Sequence, residues 1–314
     1  MNDAVDVSVL IVNWNAREFL RPCLASLQMQ SALHNVILVD NASTDGSVES
    51  VRANFPNVHL IASEKNLGFA AGNNRAAQHS RGRYLLLLNP DTTVPPGALA
   101  KLVAYADAHP EIGALGPQLQ NPDGTPQRSC WRGFPGLSMA LTDALYLWKL
   151  PWLPFAQRSE YRAEELQAPR RVDHLLGACM LIRRAAWEQV GALDENYFLF
   201  LEETDWCLRA QRAGWQIVYF PDTHIVHFGQ QSMRQAPSKN IPQFYASYLR
   251  FYRAQHGAKT LRAFLLKGII AVACLIRIGM WRERARRARD AAAREVARAM
   301  TVGYRQTLSQ LGTL

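Results

Sequence analysis

The 314-residue sequence lacks several features that would assign it to a familiar class of proteins. No internal repeat or low-complexity tract is visible, which disfavours solenoids and propellers. The five cysteines are scattered, without a CxxC pair or zinc-binding spacing, so we expect reduced core thiols in a cytoplasmic protein. The first six residues are acidic, with neither the basic n-region nor the small-residue cleavage site of a signal peptide, so no secretion signal is predicted.

Two common nucleotide-binding motifs are also missing. No G-x-G-x-x-G follows the first predicted strand, where residues 13–16 are Asn-Trp-Asn-Ala, and there is no P-loop lysine motif. A dehydrogenase is excluded on these grounds. A nucleotidyltransferase is disfavoured, because it would usually need a glycine-rich, basic loop after the first strand.

Hydrophobic residues are abundant, at 48% of the chain, which is enough for one long domain or two smaller ones. In the first part, short apolar strands at residues 7–12, 36–39, 58–61 and 84–88 alternate with predicted helices. The first of these helices is expected to be capped by Asn15, and the others span residues 47–55, 69–79 and 96–109. This alternation predicts an α/β fold with a parallel, Rossmann-like sheet.

The second half is less regular. Loops and short helices are expected over residues 130–169, and a strand over 172–182 with a break at Gly177-Ala178. A helix at 203–213, a strand at 217–220 and a helix at 244–255 follow. Residues 259–281 are apolar with breaks, and 282–300 are predicted to form a separate basic helix.

Polar residues stand where the predicted strands end, which is where ligands of such sheets bind. They are Asn13, Asn15, Asp40, Asn41, Asn66, Asn89 and Asp91. A carboxylate such as Asp40 can accept a hydrogen bond from the imide N–H of a pyrimidine. The same segment also fits an Asx-turn before a helix capped by Ser47, and the two interpretations are compatible. Small residues around Gly72 would let a ligand approach closely.

Three further groups carry potential chemistry. Asp91 follows four leucines and could hold a divalent metal for a diphosphate, or could cap a turn. Glu202, Glu203 and Asp205 could supply a general base, or could be an acidic helix start favoured by the helix dipole. His227 could bind a metal, although a lone histidine is more often structural, and this holds for His224 above all.

The order of these segments resembles family 2 glycosyltransferases of the GT-A fold, and within them the rhamnosyltransferase-like branch. The resemblance covers about residues 7–232 and includes the segments that begin at Gly177 and Gly191. It implies that Asp40 contacts the nucleobase and that Asn13 and Asn15 line the nucleotide pocket, with Asn41, Asn66, Gly72 and Asn89 nearby. It further implies Asp91 and His227 as ligands of Mg²⁺ or Mn²⁺, and Glu203 as the base.

The sequence departs from the family pattern at two positions. Asn89 replaces the first Asp of the Asp-x-Asp metal motif, which leaves one carboxylate for the metal. Glu203 replaces an Asp, so the base among Glu202, Glu203 and Asp205 stays open. The resemblance implies inverting transfer from a nucleotide diphosphate sugar, best dTDP-L-rhamnose, to a cell-envelope glycan or lipid-linked acceptor. Another UDP-, dTDP- or GDP-sugar donor, or a non-catalytic nucleotide-sugar-binding scaffold, is the alternative.

The predicted domains are a glycosyltransferase domain over residues 1–240, with donor and acceptor halves meeting near residue 117, and a helical region over 241–314. The net charge is +9, and residues 277–298 hold eight arginines against three acidic residues. An apolar segment followed by this basic one fits a helix at an anionic membrane surface, on the inner face of the cytoplasmic membrane. A helical hairpin with a solvated basic face, as in a homodimer, fits equally well. Nucleic acid is disfavoured because no recognition motif accompanies the charge.

Overall fold

The computed structural model describes residues 5–150, 161, 163–229 and 236–312. The chain forms two compact units. The first, called the sheet unit, comprises Met1–Arg132, Glu160–Phe198 and Glu202–Gly229. The second, called the helical unit, comprises Gly133–Ser159, Leu199–Leu201 and Gln230–Leu314.

Four parallel strands form one half of the sheet unit, in the order β3-β2-β1-β4. They are β1 Val7–Asn13, β2 His34–Asp40, β3 His59–Ala62 and β4 Tyr84–Leu88. The helices are α1 Arg17–Gln28, α2 Ser47–Asn54, α3 Gly68–Gln78 and α4 Ala98–Ala108. Every residue of β1 and β4 is buried, because helices cover both faces of a parallel sheet. The predicted α/β fold is therefore confirmed.

The sheet continues beyond β4 in the order β11-β6-β12-β5. The strands and helices of this part are β5 Thr92–Thr93, β6 Ile112–Gln120, β7 Pro126–Gln127, β8 Cys130–Trp131, β9 Arg170–Arg171, β10 His174–Leu175, β11 Cys179–Arg183, β12 Gln216–His227, α6 Arg184–Val190 and α7 Glu202–Arg212. Strand β11 runs antiparallel to β4 and β6, whereas β12 is parallel to β6. The predicted break at Gly177-Ala178 is confirmed, since it separates β10 from β11.

In the sheet unit, local predictions were wrong at four places. Asn15 does not cap α1, because Ala16 holds the cap position and Asn15 adopts a left-handed conformation with φ of 49°. Ser47 is the first residue of α2 rather than its cap, and Gly46 precedes it with φ of 79°. Strand β6 was not predicted, and β12 extends seven residues past the predicted end at 220.

The helical unit contains α5 Leu137–Ala144, α8 Pro237–His256, α9 Leu261–Arg287 and α10 Ala291–Gln310. The prediction of a break near residue 281 was wrong, because α9 continues unbroken into the basic segment. The helices turn instead between α9 and α10, where the Asp290 side chain caps α10 by accepting from Ala293 N–H. Helices α9 and α10 pack along each other, and α9 also packs on α5 and α8. The C-terminal hairpin is thus formed.

Candidate functional site

The ends of β1 and β2 carry a buried polar network. The Asn13 amide donates to Asp40 Oδ2 at 2.8 Å and to Ser43 Oγ at 3.1 Å, and Ser43 N–H donates to Asp40 Oδ1 at 2.8 Å. Asn13 and Asp40 are almost fully buried. They meet because β1 and β2 pair in register up to these two residues. The buried Asn13 Oδ1 has no hydrogen-bond partner among the described residues, so it can accept one from a ligand.

Asn15 closes the same network from the loop that follows β1. Its backbone N–H donates to Ser43 Oγ at 2.9 Å, and its Oδ1 accepts from Thr44 N–H at 2.8 Å. Its left-handed conformation turns the side chain towards residues 43–44. The predicted nucleotide residues Asn13, Asn15 and Asp40 therefore lie together at one edge of the sheet.

Asn41, Asn66 and Gly72 have partners within the fold. The Asn41 amide donates to Gly68 O at 3.0 Å, and Asn66 Oδ1 accepts from Gly68 N–H at 2.9 Å. Gly72 faces β1 so closely that an added Cβ would lie 2.8 Å from both γ-methyl carbons of Val12. These three residues shape the start of α3 and set its distance from β1. A direct contact of each with a nucleotide sugar stays a prediction.

Asp91 and His227 lie side by side, because β5 pairs with β12 through Thr92 and His227. Their side chains approach to 3.4 Å, between Asp91 Oδ1 and His227 Nε2, and both are less than a tenth exposed. The Asn89 amide nitrogen lies 3.5 Å from the same ring nitrogen. The backbone secures the pair, since Phe228 N–H donates to Asp91 O at 2.9 Å. His224 is exposed on the same strand and takes no part.

Gln127, which sequence reasoning missed, determines which nitrogen of His227 carries the proton. The Gln127 amide N–H₂ donates to His227 O at 2.5 Å and to Asn121 Oδ1 at 2.7 Å. Its Oε1 therefore faces His227 Nδ1, at 2.9 Å, and accepts the Nδ1 proton. In the neutral ring this leaves the lone pair of Nε2 facing Asp91.

A carboxylate oxygen and an imidazole lone pair repel each other unless a cation or a proton lies between them. The donor set, one oxygen and one neutral nitrogen, suits a divalent cation such as Mn²⁺ or Mg²⁺. Two protein ligands are few, and no group of three or more His, Cys, Asp or Glu side chains that could hold a metal is found among the described residues. The residues therefore fit a cation that takes its remaining ligands from a phosphate group and water.

The acidic cluster at the start of α7 contains side chains in different environments. Asp205 forms an ion pair with Arg209, with 2.7 Å between Oδ2 and Nε, and Arg209 also donates to Val190 O and Ala192 O. Burial, and then the charge of Glu203, raise the pKa of Glu202 well above the usual 4.5. Glu203 lies beside Gly177, where an added Cβ would be 3.5 Å from its Cβ and Cγ. The surroundings thus separate Asp205, which is held by Arg209, from the two neighbouring glutamates, whose carboxylates are buried close together.

Comparison with known proteins assigns the fold and the family. The family model for glycosyl transferase family 2 matches residues 8–191. An N-acetylglucosaminyl-diphospho-decaprenol L-rhamnosyltransferase of Mycobacterium tuberculosis is 30% identical, over 89% of this chain and 95% of that protein. The rhamnosyltransferase WbbL of Escherichia coli is 22% identical, over 78% and 92%.

Solved structures agree with this fold. The mannosyltransferase PcManGT from Pyrobaculum calidifontis, in complex with GDP-Man and Mn²⁺, superposes with a TM-score of 0.54 at 16% identity. That superposition covers 99% of this chain and 87% of the mannosyltransferase. Because the family model matches more than half of the chain and the mycobacterial relative matches it almost end to end, the chain is a glycosyltransferase that belongs to glycosyl transferase family 2.

Proposed function

We propose that the protein is an inverting rhamnosyltransferase that uses dTDP-L-rhamnose and a hydroxyl of a cell-envelope glycan or lipid-linked acceptor. The observation that carries this proposal is the nearly end-to-end match to the mycobacterial rhamnosyltransferase, whose named acceptor is a diphospho-decaprenol glycolipid. The E. coli relative is likewise named a rhamnosyltransferase. The reaction takes place in the cytoplasm, which fits the five free and buried cysteines.

The donor occupies the edge of the sheet at which β1, β2 and β4 end. The network of Asn13, Asp40 and Ser43 binds the nucleobase, and its free acceptor Asn13 Oδ1 offers a hydrogen-bonding site. Asp91 and His227 would hold a divalent cation, with Asn89 as a polar neighbour. The chemistry that such a cation would supply there is neutralisation of charge on the leaving diphosphate. Mn²⁺ is the better candidate, because imidazole is a softer ligand than the oxygens Mg²⁺ prefers.

Glu203 is the general base. It accepts the proton of the acceptor hydroxyl while that oxygen attacks the anomeric carbon from the face opposite the diphosphate. The bond between the anomeric carbon and the diphosphate oxygen breaks as the new glycosidic bond forms, so a single displacement inverts the configuration. Asp205 is committed to Arg209, and burial raises the pKa of Glu202 well above its usual 4.5, which favours its protonated form. Neither is therefore as well suited to accept a proton.

A panel of nucleotide sugars tests the donor. dTDP-L-rhamnose, UDP-glucose, UDP-N-acetylglucosamine and GDP-mannose are each incubated with the protein, Mn²⁺ or Mg²⁺ and a polyprenyl-diphosphate N-acetylglucosamine acceptor. We expect transfer from dTDP-L-rhamnose alone, with inverted anomeric configuration in the product by NMR. Transfer from another donor would replace the rhamnose proposal but keep the glycosyltransferase. Donor binding without turnover for any pair would favour a non-catalytic scaffold on the same fold.

A further inference from the structure

Helix α9 in the helical unit leaves a stripe of large apolar side chains in solvent. Leu261, Leu265, Val272 and Leu275 are between 46% and 75% exposed, and Phe264 beside them is 62% exposed. Their spacing of three and four residues places them on one face of the helix. Exposed apolar side chains that are scattered singly are normal on proteins, but a contiguous row of them marks an interaction surface.

The stripe borders a groove that α5 completes. Leu141 and Leu145, which are 40% and 44% exposed, line it opposite Phe264, Gly268 and Val272 of α9. The groove has a volume of about 510 Å³, and its lining is almost wholly apolar. The apolar surface therefore extends over two helices, whereas the sequence had indicated only the C-terminal segment. We call the α9 stripe together with the α5 side of the groove the apolar face.

A cluster of arginines follows the stripe at the C-terminal end of the same helix. Arg282, Arg284, Arg286 and Arg287 are exposed, and Arg289 follows them in the turn. Glu283 pairs with Arg286 and Arg287 and offsets one of these charges, so the cluster stays strongly basic. The Arg284 guanidinium lies 4.5 Å from the Trp281 ring centre. Trp and Arg side chains at the end of an apolar helix are typical of a membrane–water boundary.

The packing of α9 indicates whether this helix would cross a membrane or lie on its surface. By length and composition α9 could cross a bilayer, since a window of 18 of its residues has a mean hydropathy of 2.1, and it is the one such helix among the described residues. Its opposite face, however, is buried, with Ala263, Leu266 and Ile270 packed inside the unit. The buried Arg277 side chain pairs with Asp143 of α5 at 2.7 Å. Half of the helix is thus held by protein, and only the other half is free to meet lipid.

We propose that the apolar face docks the enzyme on the surface of an anionic lipid bilayer. Its leucines and Phe264 enter the boundary between head groups and acyl chains, while the arginine cluster meets the lipid phosphates. The charge pattern favours lipid over a second copy of the chain, because a partner with the same net charge of +9 brings no complementary acidic surface to the arginines. This contact goes beyond the proposed reaction, and it would bring the enzyme to the layer in which a lipid-linked acceptor resides.

Vesicle sedimentation with the full chain tests the proposal. The probes are vesicles of phosphatidylcholine alone and of phosphatidylcholine mixed with phosphatidylglycerol. We expect the wild type to bind the mixed vesicles and to be released by salt. The double variant Phe264→Ser/Leu265→Ser should lose at least about tenfold in apparent affinity, because two large apolar side chains no longer enter the bilayer. Arg284→Gln and Arg286→Gln should each lose about fivefold on the mixed vesicles.

A control variant removes two exposed apolar side chains that lie outside the apolar face. Val296→Ser/Val302→Ser changes two residues of α10 that are 51% and 41% exposed and should bind vesicles like the wild type. Circular dichroism and transfer to a short, soluble acceptor should be the same for all variants, which separates docking from folding and from the reaction. Absence of binding to mixed vesicles would overturn the proposal. So would a wild-type dimer in light scattering that Phe264→Ser/Leu265→Ser converts to a monomer without any vesicle binding, because a second copy would then cover the face.

Discussion

The sheet unit and the helical unit differ in which side chains occupy unusual environments. In the sheet unit, the unusual residues are polar and buried, such as Asp91 facing His227 and Glu202 with its raised pKa. In the helical unit, buried hydroxyls have ordinary backbone partners, for example Thr301 and Thr307, whose hydroxyls donate to carbonyls four residues earlier. Its unusual residues are the exposed leucines of α9. Costly burial of polar groups thus coincides with the proposed reaction site, and exposed apolar surface coincides with the proposed membrane contact.

Replacing Asp91 should have the largest effect, because it removes the single carboxylate at the candidate cation site. We expect Asp91→Asn to lower kcat/KM by about a thousandfold, since a metal contributes several kcal/mol of charge stabilisation. Steady-state kinetics with the donor and acceptor measure this. His224→Ala is the matched control, because His224 is exposed on the strand that carries His227 and should stay within about twofold of the wild type. If Asp91→Asn and His224→Ala lowered kcat/KM by the same factor, Asp91 would not be the residue that holds the metal.

Glu203→Gln should follow, with a loss of about a hundredfold or more in kcat, because an amide cannot accept the hydroxyl proton. The dissociation constant of the nucleotide sugar should stay unchanged, since the base acts on the acceptor. Calorimetry for binding and product chromatography for turnover separate the two. Full turnover by Glu203→Gln, with loss in Glu202→Gln, would move the role of base to the neighbouring residue.

Gln127→Leu should have an intermediate effect. Without the acceptor for the Nδ1 proton, His227 can turn or change its tautomer, and such outer contacts typically contribute about 10–100-fold to metal affinity. We expect Mn²⁺ to be needed at a correspondingly higher concentration, measured by titrating the metal against nucleotide-sugar binding. Gln127→Glu keeps the acceptor and should recover part of the loss. A Gln127→Leu protein with an unchanged metal titration would show that Asp91 acts without the oriented imidazole.

Glu202→Gln should have the smallest effect, on stability rather than on chemistry. The folded state holds the Glu202 proton more tightly than the unfolded chain, so the wild type loses stability as pH rises above the usual pKa of 4.5. The glutamine has no proton to lose, and its advantage should therefore grow with pH, by at most about 1.4 kcal/mol per pH unit. Urea unfolding at pH 5 and pH 8 measures this. Exposed Glu188→Gln should show no comparable trend, and the same trend there would refute the assignment.

The sequence was sufficient for features that depend on local pattern. The grouping of Asn13, Asp40 and Asp91 at or just beyond the ends of β1, β2 and β4 could be predicted because parallel strands bring their carboxyl ends to one edge. The function of Gln127 could not, because it arises from a hydrogen bond across 100 residues to His227. The length of β12 was underestimated because its pairing with β6 is interrupted between Phe220 and His224, and its last two residues pair with β5, a strand of two residues without a pattern of its own. The sequence predicted two segments where the structure has the single helix α9, because the change from apolar to basic residues near residue 281 resembles the end of a helix.

The absence of a Cβ atom at Gly72 determines how closely α3 approaches β1 beside the proposed donor site. The hydrogen at this position lets α3 rest against the two methyl groups of Val12, one residue before Asn13 in β1. The two positions are therefore complementary in size, and a larger side chain at one requires a smaller one at the other. Evolution or design can widen this edge of the sheet by exchanging bulk between positions 12 and 72, without altering any of the polar groups that bind or react.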